Sequence, residues 1–163
     1  MALVHEYLYR ESDFGQIDFS AYARSLLDQL WRAHGHAADR ALLVLDLQPV
    51  VVLLTKAVPC GLILNELAGN ALKHAFPDGH PGGTVAVALR GDPEGRVSLR
   101  VADNGRGLPA GLDLAATDSL GMRLVHLLAG QLRGSVAARR PAEGGTEFEL
   151  SFSNRSGTPT GTS

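Results

Sequence analysis

A chain of 163 residues is long enough for one domain with a single sizeable core. Hydrophobic residues make up 45% and charged residues 20%, a balance that excludes bulk disorder. With 15 basic and 17 acidic side chains the formal net charge is −2, so electrostatics gives no case for nucleic acid or an anionic membrane as the main partner, and any phosphate-bearing ligand has to be held locally by a few side chains and backbone amides.

Residues 1–11, MALVHEYLYRE, place Leu3, Val4, Tyr7 and Leu8 at helical spacing, which predicts the end of a helix that Ser12, Asp13 and Gly15 terminate. The helix has no cap at its start, so the chain is expected to begin inside an element. The same stretch lacks the basic-then-apolar layout of a signal peptide. A second helix is predicted over 18–34, with Phe19, Tyr22, Leu26, Leu27, Leu30 and Trp31 as its apolar stripe. Residues 41–54 read as strand interrupted by Pro49. A long helix is predicted over 55–76, with Thr55 as its N-cap and Pro59 in its first turns. Cys60, the sole cysteine, lies in the apolar run 58–64 and reads as a small buried hydrophobe. It permits no intrachain disulfide, and a reducing compartment follows as an expectation.

Residues 77–83 form a turn-rich loop, followed by strands over 84–90 and 96–103 joined by a Gly-Asp-Pro-Glu-Gly turn. Residues 104–118 are Gly-rich and irregular, a helix is predicted over 119–132, and strands follow near 134–140 and 145–153. The tail 154–163 has no apolar pattern and is expected to be disordered. No apolar run approaches the roughly 20 residues that span a bilayer, so no membrane contact is expected and the chain reads as cytoplasmic. Antiparallel strands joined by tight turns, with grouped helices, predict a two-layer α+β sandwich. The strands alternate, which leaves one face of the sheet wet.

Four segments carry candidate chemistry. Along NELAGNALKHAF, residues 65–76, a helical wheel gathers Glu66, Asn70, Lys73 and His74 into a quarter to a third of the circumference, next to an apolar face of Leu64, Leu67, Ala68, Ala71 and Ala75. An acid, an amide, a cation and an imidazole on one stripe suit a metal–triphosphate, with Asn70 for Mg²⁺, Lys73 and His74 for phosphate oxygens, and Glu66 as base or water-orienting group. A solvated polar face with incidental pairs is the other reading, and the helix alone does not decide between them. Asp103 shares its phase with Val97, Leu99 and Val101, so its carboxylate is directed to the helix side, where a charge is costly unless paired. Asn104-Gly105-Arg106-Gly107 follow and offer Arg106 as the nearby cation; a ligand amine, such as that of adenine, would serve instead. A turn-forming Asp-Asn-Gly is the plainer alternative. Thr146 repeats the pattern at the end of the row Phe148, Leu150 and Phe152, after Gly144 and Gly145. Between these strands Ser119-Leu120-Gly121-Met122 opens a helix whose first amides could meet a phosphate.

The order NELAGNALKHAF, DNGRGLP, DSLGMRLVHLLAG, GGTEFEL resembles the N, G1, G2 and G-T boxes of the GHKL ATPase superfamily, and most closely the catalytic domain of sensor histidine kinases, over about 41–153. The resemblance implies a Bergerat-type α/β sandwich with a mixed, mainly antiparallel sheet and helices on one face, holding ATP and Mg²⁺ under a lid. It also implies roles: Glu66 as catalytic acid/base, Asn70 as Mg²⁺ ligand, Lys73 and His74 toward the phosphates, and Asp103 on the adenine amine. Gly105 and Gly107 would shape the pocket floor, Gly121 the phosphate-side turn, and Thr146 a second adenine contact.

MALVHEYLY is similar to the second dimerisation helix of such kinases, so residues 1–35 are expected to be a remnant of the dimerisation region, 36–153 the ATP-binding domain and 154–163 the tail. The histidine acceptor is then expected outside this chain, His5 not being that residue, with dimerisation helices and a response regulator as partners and a homodimer open for the full-length protein. Two alternatives stand beside this: a GHKL serine kinase of the anti-sigma type, and a non-catalytic nucleotide-binding module. The sequence departs from the family at Ser119, where a glycine is usual, and in a short lid between Gly107 and Gly121. His34, His36, His80 and His126 show no metal-ligand spacing and read as surface or packing residues.

Overall fold

The computed structural model describes residues 15–34, 41–76, 82–106 and 119–155. In chain order the elements are β1 (Gln16–Asp18), α1 (Phe19–Ala33), β2 (Ala41–Leu47), β3 (Val51–Leu53), α2 (Leu54–His74), β4 (Gly83–Gly91), β5 (Arg96–Asp103), α3 (Leu120–Gln131), β6 (Ser135–Arg139) and β7 (Thr146–Ser153). The helix expected over 1–11, the lid and most of the tail fall outside the described residues.

The main sheet has the order β2-β4-β5-β7-β6; β2 runs parallel to β4 and every other pair is antiparallel. This is the mixed, mainly antiparallel sheet expected from the sequence. Alternation works as predicted: Val85, Val87 and Leu89, Val97, Leu99 and Val101, and Leu150 and Phe152 are buried on one face. The helices cover that face with Ile63, Leu64, Leu67 and Leu72 of α2 and Met122, Val125 and Leu128 of α3. Each fully buried apolar side chain of this size contributes about 1.5–3 kcal/mol. On the opposite face Glu147, only 7% exposed, lies between Arg139, which it pairs with, and Arg100, whose Nε is 3.7 Å away.

Helix α1 packs on α2 and joins the same core through Phe19, Tyr22, Leu26 and Leu27. Asp18 caps it, accepting from the Ser20 amide at 3.0 Å. Burial raises the Tyr22 hydroxyl to about 12, and its ring fills the space that a side chain on Gly61 would need.

Thr55 does not cap α2. The helix starts one residue earlier, and the N-cap position is Leu53, which has no capping side chain. Its orphan amides are satisfied from elsewhere in the fold: Leu54 N–H donates to the Gly15 carbonyl at 2.8 Å and Leu53 N–H to Asn154 Oδ1 at 3.3 Å. Asn154 therefore caps the helix from 101 positions away. Its own side-chain amide donates to the Val51 carbonyl at 2.5 Å, and Lys56 Nζ donates to the Arg155 carbonyl at 3.1 Å. Asn154 and Arg155, the first residues of the expected tail, are thus bound to the body of the domain. No helix among the described residues is long and apolar enough to cross a membrane.

Candidate functional site

Helix α2 brings its polar stripe to a cavity of about 350 Å³ between the helices and the sheet. Glu66, Asn70 and His74 line it. They follow one another at four-residue steps, each turning about 40° around the helix. Leu67, Ala71 and Ala75 continue the same wall. Lys73 falls about 20° to the far side of Glu66; it is exposed and is not among the residues lining the cavity. The quarter-circumference stripe read from the sequence is therefore split by the edge of the site.

The sheet supplies the opposite wall with Val101 and Asp103 from β5 and Thr146 and Phe148 from β7. Asp103 and Thr146 are direct partners in the register of these strands, so the two polar groups sit side by side at the ends of two apolar rows. Asp103 is not left to a ligand alone. Its Oδ1 accepts from the Gly105 amide at 2.9 Å, and the Thr146 amide also bonds to it. Burial nevertheless dominates and pushes this carboxyl above its ordinary value, against the pull of the two amides. A carboxylate whose desolvation exceeds its protein partners gains from a further donor inside the cavity.

Glycines set these walls at short range. Gly144 and Gly145 both have positive φ, +102° and +86°, and a side chain on Gly145 would run into the Asp103 carbonyl, with Asn104 Cα at 3.0 Å. Gly105 is not among the residues lining the cavity; an added Cβ there would lie 2.6 Å from Ala75 Cβ. That contact, with the Arg106 N–H donating to the Ala75 carbonyl at 2.9 Å, fixes the end of α2 to the loop after β5. Gly107, the second expected floor residue, lies outside the described residues.

The third wall is the start of α3, with Ser119, Gly121 and Met122. Ser119 is the N-cap, its hydroxyl accepting from the Met122 amide at 3.2 Å. The positive end of the helix dipole and its first free amides thus sit at the cavity, a setting that favours an anion. Gly121 lies directly on Glu66: a Cβ there would overlap the carboxylate, with Glu66 Cδ at 2.9 Å and Cγ at 3.4 Å.

The expected residues Glu66, Asn70, His74, Asp103, Gly121 and Thr146 are brought together at one cavity, whereas Lys73 and Gly105 are not among its lining residues. Sequence reasoning missed Arg106, Met122 and Phe148 as lining residues. Phe148 was legible in principle, because it shares the phase of Thr146 one step along the strand. Arg106 carried a weaker signal, being the sole cation in the segment after Asp103. The chemistry available is polar recognition at the sheet end, an apolar middle, and an acid, an amide and an imidazole along α2, the acid lying against the start of α3. The volume falls in the lower part of the usual range for small-molecule sites, roughly 300–1,000 Å³.

Two families match the sequence. One, described as histidine kinase-, DNA gyrase B-, and HSP90-like ATPase, covers residues 55–156, and one described as histidine kinase covers residues 1–34. The chain is 36% identical over 91 residues to the sensor histidine kinase PdtaS of Mycobacterium tuberculosis, covering 55% of this chain and 18% of that protein. It is 38% identical over 88 residues to blue-light-activated histidine kinase 2 of Erythrobacter litoralis, covering 53% and 24%. The matches thus span about a fifth of the length of these relatives. Among solved structures, the histidine kinase domain of the Erythrobacter litoralis EL346 blue-light activated histidine kinase superposes with a TM-score of 0.80 at 24% identity, covering 93% of this chain and 72% of that one. The mycobacterial sensor histidine kinase MprB superposes with a TM-score of 0.67 at 20% identity, covering 86% and 98%. These superpositions share the fold.

Proposed function

Since the chain belongs to the family of histidine kinase-, DNA gyrase B- and HSP90-like ATPases, we propose that its cavity binds ATP and serves γ-phosphoryl transfer to a histidine in a two-component sensor kinase. The observation that carries the reading is the pairing across one cavity of Asp103 with Glu66, Asn70 and His74. Asp103, held by the Gly105 and Thr146 amides and still under-compensated for its burial, accepts a hydrogen bond from the exocyclic amine of adenine. The Thr146 side chain, its direct neighbour in register, adds a second polar contact to the base. Val101, Met122 and Phe148 supply the apolar surface for the ring.

The triphosphate extends toward the start of α3, where the first amides and the helix dipole favour its charge. His74, which lines the same cavity, is the expected donor to phosphate oxygens. Asn70 is the residue that would hold Mg²⁺, its amide oxygen being a suitable hard ligand; the ion supplies charge neutralisation on the phosphates. In the transfer the acceptor imidazole nitrogen attacks the γ-phosphorus, the bond to the bridging oxygen breaks and ADP leaves. The imidazole loses its other proton, and Glu66 orients the ring or takes that proton as general base. From the phosphohistidine the phosphoryl group is passed to a response regulator.

The test is labelling with γ-³²P-ATP of the full-length protein that carries this domain. The expected product is an acid-labile, base-stable phosphate. Glu66→Gln should lower its formation about 10²–10⁴-fold while nucleotide affinity stays within a few-fold. Acid-stable phosphate on a serine of a separate protein would instead assign the domain to serine kinases, and full labelling by Glu66→Gln would remove Glu66 from the chemistry.

A further inference from the structure

Strand β5 has to stop at one place. Asp103 is still paired with Val85 of β4 and Thr146 of β7, which keeps its carboxylate on the cavity side. Two residues later the chain has already turned, so that Gly105 N–H reaches Asp103 Oδ1 at 2.9 Å and Arg106 N–H reaches the Ala75 carbonyl at 2.9 Å. Asn104 stands at the turning point. One further step of the β4–β5 register sets it opposite Thr84, where a continuing antiparallel ladder would exchange two backbone hydrogen bonds. The first is made: Asn104 N–H donates to the Thr84 carbonyl at 3.2 Å. The second is made by the side chain, Thr84 N–H donating to Asn104 Oδ1 at 2.7 Å. The other end of the same amide donates to the Gly82 carbonyl at 2.9 Å. The side chain thus does the work of the Asn104 carbonyl, and the main chain is released to leave the sheet.

We infer that Asn104 is a positioning residue for recognition of the base: by ending β5 it fixes the turn that aims Asp103 into the cavity. The inference rests on the ATP reading above. Asn104 is not among the lining residues, so it acts through Asp103. Its backbone is also held from the third strand, since a Cβ on Gly145 would lie 3.0 Å from Asn104 Cα. An amide is the side chain that suits the place, because it offers an acceptor to Thr84 N–H and a donor to the Gly82 carbonyl at once. Aspartate keeps the acceptor alone, and alanine keeps neither.

The experiment is a double-mutant cycle on the affinity for non-hydrolysable analogues of ATP and GTP. It compares wild type, Asn104→Ala, Asp103→Asn and the double variant, each shown by melting to be folded. A looser turn lowers the fraction of protein with Asp103 aimed at the cavity, and apparent affinity falls with that fraction. Asn104→Ala should weaken ATP roughly three- to tenfold, weaken GTP less, and so lower the ATP-to-GTP ratio. Asn104→Asp should lose less, and it carries the same cycle if the alanine variant does not fold. Beside Asp103→Asn, the change at Asn104 should cost ATP little more, because the carboxylate it aims is already gone. If the ATP-to-GTP ratio is unchanged, or if the effect is undiminished beside Asp103→Asn, Asn104 does not act through Asp103 and the inference is overturned with the ATP reading intact. A wild-type protein that binds neither analogue overturns the ATP reading, and this inference with it.

Discussion

Replacing Asp103 by asparagine separates recognition of the base from maintenance of the loop. The carboxylate has two duties: it accepts from the backbone amides of Gly105 and Thr146, and it faces the cavity. Asparagine keeps one oxygen to accept from those amides, so the turn should survive. On the ATP reading proposed above, what is lost is the negative acceptor toward the adenine amine. A hydrogen bond to a charged group is worth about 1.5–3 kcal/mol, so ATP should weaken roughly ten- to a hundredfold. GTP presents a carbonyl where adenine presents its amine; wild-type protein should bind it poorly, and Asp103→Asn should gain on it relative to ATP because the new amide can donate. Stability has the opposite sign from affinity. Burial raises the folded-state pKa of Asp103 above its unfolded value, so between those two values the native state binds the extra proton. Stability from this group is therefore greatest at acid pH and falls as pH rises through that window. At neutral pH the neutral amide removes a desolvation cost, and the variant should melt no lower than the wild type. Calorimetric titration with both nucleotides on the folded variant decides the matter. An unchanged ATP-to-GTP ratio would mean that Asp103 serves only the turn, and a large drop in melting temperature would mean that the amide cannot replace the carboxylate at Gly105 and Thr146.

Two other substitutions probe the walls. Gly121→Ala places a methyl group on the Glu66 carboxylate, a flexible group that can swing aside; phosphoryl transfer should fall at least tenfold, with the melting temperature little changed and ATP affinity reduced less than turnover. Full activity would show that the position of Glu66 is immaterial. Asn154→Ala removes the acceptor for Leu53 N–H and the donor to the Val51 carbonyl. At about 1 kcal/mol for each lost bond, urea unfolding should report a loss of roughly 1–3 kcal/mol, and an unchanged midpoint would show that water replaces the clasp without cost.

Much of the fold could be read from local pattern. The rows Val97-Leu99-Val101 and Phe148-Leu150-Phe152 have period two, and each ends in a polar residue, which put Asp103 and Thr146 on the cavity side before their register was known. What could not be read depended on contacts between distant parts of the chain. The cap of α2 comes from Asn154, so a local rule chose Thr55. The place of Lys73 depended on which arc of α2 the sheet and α3 leave open, and a wheel alone draws no such edge. Gly105, expected to shape the pocket floor, lets Ala75 approach closely, a contact between segments far apart in sequence. The contact of Gly121 with Glu66 joins residues far apart in sequence, and neither neighbourhood signals it.

The central claim is that this cavity is an ATP site that uses a divalent ion. It is tested most directly by titration calorimetry of the protein with a non-hydrolysable ATP analogue, with Mg²⁺ and with the ion chelated. The account predicts saturable one-to-one binding that strengthens when Mg²⁺ is present and weakens in Asp103→Asn. No heat of binding at millimolar nucleotide in either condition would contradict it.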